Sequence, residues 1–74
     1  MDLAERIAAW RKSKGLTQRE LAEAVGVTPA AVYQWEDGGE NHTTPSQENL
    51  FLVVEALGLT MSGFWGRLPE AKAS

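Results

Sequence analysis

Apolar residues along this chain recur at helical rather than alternating spacing. Leu3, Ile7 and Trp10 are four and three apart, so one face of a first helix is apolar, with Arg6, Arg11, Lys12 and Lys14 mostly on other faces and Gly15 as its end. Thr17 followed by Glu20 reads as a capping box, in which hydroxyl and carboxylate satisfy each other's backbone donors. Leu21, Ala24 and Val25 supply the apolar face behind it, giving a second helix that runs to about Val25. Gly26 allows a left-handed turn, Thr28 is a good N-cap, and Pro29 takes the first helical position, where its missing N–H costs nothing. A third helix is expected from there to about Glu36.

Asp37, Gly38 and Gly39 stop that helix, and residues 40–44 form a polar stretch with no apolar side chain to bury, expected to be exposed and mobile. Ser46 caps a fourth helix whose stripe of Leu50, Val53, Val54 and Leu57 closes at Gly58. Thr60 caps a short fifth segment holding Met61, Phe64 and Trp65. Strand signals and internal repeats are absent. The chain therefore reads as one all-α domain over residues 1–68, followed by a frayed tail over 69–74.

Seventy-four residues allow one small core of marginal stability. There is no cysteine, hence no disulfide framework and no thiolate zinc site, which fits a reducing compartment. The longest apolar run, residues 50–54, is far short of the roughly 20 residues of a membrane span, and an N-terminus with Asp2 and Glu5 lacks the layout of a signal peptide. A cytoplasmic protein without membrane contact is expected. The net charge of −3 runs against a nucleic-acid partner, but its distribution does not. Residues 1–19 carry Arg6, Arg11, Lys12, Lys14 and Arg19 against Asp2 and Glu5, a net +3, and the remainder carries −6. Any basic patch must come from the end of the first helix and the start of the second.

Two short helices joined by three or four residues including a glycine are the arrangement that pushes a second helix into the DNA major groove. The crossing needs a small Ala22, a permissive Gly26, and buried Val27 and Val32, and all four stand in register. The stretch RIAAWRKSKGLTQRELAEAVGVTPAAVYQWEDG, continued by TPSQENLFLVVEALGLT, resembles the phage-repressor and Cro type of helix-turn-helix, the Xre family, over about residues 3–66. That resemblance implies a five-helix lambda-repressor-like fold and a sequence-specific, double-stranded-DNA-binding transcriptional regulator, with repression its expected action.

The resemblance also implies roles for particular residues. Gln18 would contact a DNA phosphate at the start of the first motif helix. Arg11 and Glu36 would form an ion pair between the first and third helices, which leaves Lys12, Lys14 and Arg19 as phosphate contacts. The third helix would enter the groove with Thr28, Pro29, Ala30, Ala31, Tyr33 and Gln34 on or near its front. Ala30 and Ala31 suit thymine methyl groups, Gln34 or Gln18 suits adenine, and Tyr33 either packs on the sugar-phosphate or merely covers its neighbours. This front is short of long polar side chains, so part of the preference is expected to come from DNA shape. The loop GGENHTTP is about three residues longer than the usual connection and lacks its lysines and arginines; Asn41, His42, Thr43 and Thr44 remain as phosphate donors.

Trp10 and Trp35 fall on apolar faces and are read as core, each with its indole N–H near a polar edge. Trp65 lies in a segment too short to bury both aromatic rings, so it either folds back over the core or faces a partner. In the family this region often forms a two-fold dimer interface, here Met61, Phe64, Trp65 and Leu68, which would set two third helices roughly 34 Å apart on DNA. An enzyme is not expected, because His42 is the only histidine and has neither a cysteine nor clustered carboxylates to activate it or complete a metal site. No cofactor is expected. The rival to DNA binding is a protein-binding module on the same fold, an antitoxin or anti-regulator, using the acidic residues 36–55 and the apolar tail.

Overall fold

The structure is a computed structural model that describes residues 3–69; the expected tail beyond them, 70–74, lies outside the described residues. Five helices and no strand occur among the described residues: α1 (Leu3–Ser13), α2 (Gln18–Val25), α3 (Pro29–Glu36), α4 (Gln47–Ala56) and α5 (Met61–Trp65). The all-α class and the order of elements agree with the spacing of apolar residues.

Every helix after the first begins on a hydroxyl side chain. Thr17, Thr28, Ser46 and Thr60 each accept a hydrogen bond from the backbone N–H three residues on, at 3.0, 3.2, 3.1 and 3.0 Å. Such caps satisfy a donor that has no partner inside its own helix, and each stabilises its helix by about 1 kcal/mol. Four sharp starts matter in a chain whose helices are mostly too short to persist alone.

The core draws on all five helices: Ile7 from α1, Leu21, Ala22 and Val25 from α2, Val32 and Trp35 from α3, Val53 and Val54 from α4 with Leu57 after it, and Phe64 from α5. Helix α2 packs on α3 and α4, α1 packs on α3 and α5, and α4 packs on α5. The inner face of α3 is thus held from two sides, by α1 and α2, and its other face stays open. Two details depart from expectation. Ala24 is exposed, because the buried arc of α2 runs through Leu21, Ala22 and Val25. Val27 is only half-buried, lying in the turn and packed at the edge of the core rather than within it.

Helix α5 resolves the two neighbouring aromatics. Successive residues on a helix point about 100° apart, so a single turn cannot send both rings inward. Phe64 is completely buried and Trp65 is 46% exposed, their rings meeting edge to face at 5.2 Å. Phe64 is therefore a core residue and is withdrawn from the dimer surface proposed for it. Leu68 and Pro69, at the expected boundary, are half-buried. The end of α5 is fastened to α1: Arg6 Nη1 donates to the carbonyls of Phe64 at 2.8 Å and Gly66 at 2.7 Å, and Trp10 Nε1 donates to Phe64 O at 3.1 Å. The Arg6 guanidinium also lies 5.5 Å from the centre of the Trp65 ring, within reach of a cation–π attraction.

Candidate nucleic-acid interface

The turn between α2 and α3 is built from backbone requirements. Gly26 sits at φ 89°, ψ 32°, in the left-handed region where a side chain is strained, and its N–H closes α2 on Ala22 O at 2.8 Å. Val27 N–H reaches the same carbonyl at 3.0 Å. Thr28 then caps α3, with Pro29 in its first turn. Only residues 26–28 separate the helices, so their relative pose is set by this turn and by Ala22, whose small side chain is fully buried.

Helix α3 buries Val32 and Trp35 and presents Thr28, Pro29, Ala30, Tyr33 and Gln34 to solvent, Tyr33 being 53% exposed. Ala31 is half-buried against the core, since it stands one residue before Val32 and four before Trp35. Its methyl group is consequently less available to a base than Ala30's, a correction to the expected front.

Behind that front runs a polar network. Arg11, buried though charged, grips Glu36 with two parallel bonds, Nε to Oε2 at 2.6 Å and Nη2 to Oε1 at 2.9 Å. Its Nη1 donates to Leu16 O at 2.7 Å. The pair joins α1 to α3 with side chains only 11% and 7% exposed, a geometry that fixes pose more than it adds net stability. Gln18 belongs to the same network: its Nε2 donates to Glu36 Oε1 at 3.1 Å. The spacing of residues carries no sign of this third contact, because it depends on how α2 crosses α3.

The start of α2 offers donors to an anion. Thr17 and Glu20 form the expected capping box, with Thr17 N–H on the Glu20 carboxylate at 2.9 Å. The backbone N–H groups of Gln18 and Arg19 then have no acceptor within their own helix. Lys12, Lys14 and Arg19 are exposed, with the Lys14 ammonium 6.0 Å from the centre of the Trp10 ring. These side chains come from the end of α1 and the start of α2, the elements that flank α3 and the turn leading to it. Arg6 has no task legible in the spacing of residues. The structure places it at α5, and a hint lay in its position one residue before Ile7, on the flank of the apolar stripe.

The loop after α3 is exposed but tied down. Asp37 Oδ1 accepts from Gly39 N–H at 3.0 Å, His42 Nδ1 meets Asp37 O at 2.8 Å, and Thr43 N–H returns to Gln34 O at 3.1 Å. Pro45, at its end, is buried and anchors it before α4. Asn41, His42, Thr43 and Thr44 are all exposed, next to the last turn of α3 rather than along its front. Among the described residues no three histidine, cysteine or carboxylate side chains cluster as a metal site would require, and no helix is long and apolar enough to cross a membrane.

Comparison with known proteins agrees with this arrangement. The chain is 30% identical over 67 residues to the cryptic phage CTXphi transcriptional repressor RstR of Vibrio cholerae, covering 90% of this chain and 57% of that protein. It is 40% identical over 55 residues to repressor protein C2 of Salmonella phage P22, covering 74% of this chain and 24% of that one. The chain thus spans just over half the length of the first relative and about a quarter of the second. Among solved structures, the P22 c2 repressor in complex with a synthetic operator superposes with a TM-score of 0.73 at 34% identity, over 86% of this chain and 92% of that one. The biofilm master regulator SinR in complex with DNA gives 0.74 at 29% identity, over 88% and 100%. The helix-turn-helix family model HTH_3 matches residues 7–64, from the first buried residue of the α1 stripe to the aromatic that closes the core, and the chain belongs to that family.

Proposed function

We propose that this chain binds double-stranded DNA as a transcriptional repressor, inserting α3 into the major groove, and does so in the cytoplasm as a homodimer. The observation that carries the reading is the open face of α3, held against α2 by a tight turn; the exposed Lys12, Lys14 and Arg19 lie at the end of α1, just after it and at the start of α2. Phosphates would be met by those three cations, by Gln18 and by the exposed loop residues Asn41, His42 and Thr43, and bases by Thr28, Pro29, Ala30, Tyr33 and Gln34. So few long polar groups at the front leave a larger share of selectivity to groove shape. Met61, Trp65 and Leu68 supply the apolar surface for a second copy.

Selection of bound sequences from random duplex DNA tests this. A defined motif should be enriched at low salt. Affinity should fall with salt at a log–log slope of about −2.7 per protomer if three cations each neutralise a phosphate, at about −0.9 for each. Combining Gln18→Ala with Lys14→Ala should weaken binding to every duplex and leave the enriched motif the same. No enrichment by the unaltered protein at low salt would overturn the proposal.

A further inference from the structure

Glu36 is placed to do more than hold α1 against α3. We propose that it is a positioning residue for Gln18, holding that carboxamide as a donor directed at a phosphate; this rests on the DNA-binding reading above.

A glutamine side chain is flexible, and freezing it on a ligand costs binding free energy unless the bound rotamer already exists. In this protein it exists. The Gln18 carboxamide is half-buried, and one of its two N–H groups is taken by Glu36 Oε1 at 3.1 Å. Because the amide is planar, fixing one N–H fixes the direction of the second N–H and of the carbonyl oxygen. Glu36 is itself held through both oxygens by Arg11, whose remaining bond goes to Leu16 O. The chain of restraint therefore runs from α1 through Arg11 and Glu36 to the first residue of α2.

The charges support the same assignment. A bare carboxylate beside a phosphate would repel it, but Arg11 cancels the charge of Glu36 at hydrogen-bond distance. The restrained glutamine thus stands on a locally neutral base, beside the exposed Arg19. A side chain tethered in this way makes one oriented contact and does not search among bases. It acts on affinity for all duplexes alike and leaves discrimination to α3.

The test is a cycle of variants read by affinity for the selected duplex. Glu36→Gln alone would strand a buried Arg11, so the second background is Arg11→Met with Glu36→Met, which replaces the pair by apolar groups of similar length. Gln18→Ala should weaken binding about tenfold in the unaltered protein, the effect of losing one hydrogen bond to a charged group, and less than about threefold in the Met/Met background. Equal losses in the two backgrounds, or no loss in the unaltered protein, would overturn the inference. Absence of binding by the unaltered protein would instead strike the DNA-binding reading itself. A readout independent of DNA and of any variant's folding is the nitrogen-bound proton pair of Gln18 by NMR. One downfield, exchange-protected proton is expected, whereas two freely exchanging protons would also overturn it.

Discussion

Replacing Arg11 with alanine removes the only cation bonded to Glu36 among the described residues and leaves a carboxylate 7% exposed. Breaking a buried pair by deleting one partner costs about 3–5 kcal/mol, because the survivor keeps its desolvation penalty without its attraction. The lower end applies, since Gln18 still donates to Glu36 and the pair lies near the surface. A domain of this length has a total stability of about 4–11 kcal/mol at 0.05–0.15 kcal/mol per residue. A loss of about 3 kcal/mol removes a quarter to three-quarters of that and lowers the melting temperature by about 12–24 °C, at 4–8 °C for each kcal/mol. Circular dichroism at 222 nm during heating measures the shift. Arg11→Met with Glu36→Met should melt within about 1 kcal/mol of the unaltered protein, because no charge is left unpaired. A drop of less than about 4 °C for Arg11→Ala would show that the pair is neither buried nor structural.

Other expectations test separate parts of the molecule. Gly26→Ala meets no atom within 4 Å of the added carbon, so its cost of about 1–2 kcal/mol is purely the left-handed backbone and should appear in chemical denaturation. Phe64→Ala should cost about 3–5 kcal/mol or prevent folding. Trp65→Ala, beside it, should cost about 1 kcal/mol through the lost contacts with Phe64 and Arg6, a smaller fall in melting temperature than Phe64→Ala gives, and shift sedimentation toward a smaller species. Alanine at Lys12, Lys14 or Arg19 should each reduce the salt slope of DNA affinity by about one, with no change in the selected motif.

Most of the frame was legible because it rests on local rules. Helix starts follow from Thr17, Thr28, Ser46 and Thr60, and the turn from Gly26, none of which needs knowledge of the third dimension. What escaped depends on how elements cross. Arg6 stands on the flank of the apolar stripe of α1, and only the arrival of α5 supplies the carbonyls it binds. The choice between Phe64 and Trp65 required knowing which side of α5 meets the core. Ala22 and Ala24 are the same residue type two positions apart, and the rotation of α2 decides which is buried. The ties of the loop were not legible because they are bonds to the backbone carbonyls of Gln34 and Asp37, for which side-chain polarity gives no signal. The link from Gln18 to Glu36 escaped for the same reason as Arg6.

The open front of α3 has a consequence for how such a protein changes over time. The side chains of Ala30, Tyr33 and Gln34 stand outside both the core and the hydrogen-bonded network that fixes the helices, while Thr28 alone at that end is tied to the cap. Under the proposed function, replacing any of those three would alter what the groove encounters without touching what keeps the domain folded. On that proposal, operator preference would be a trait that can drift one residue at a time, with each intermediate still a stable protein. The same separation makes positions 30, 33 and 34 the natural sites for randomisation when a new target sequence is wanted.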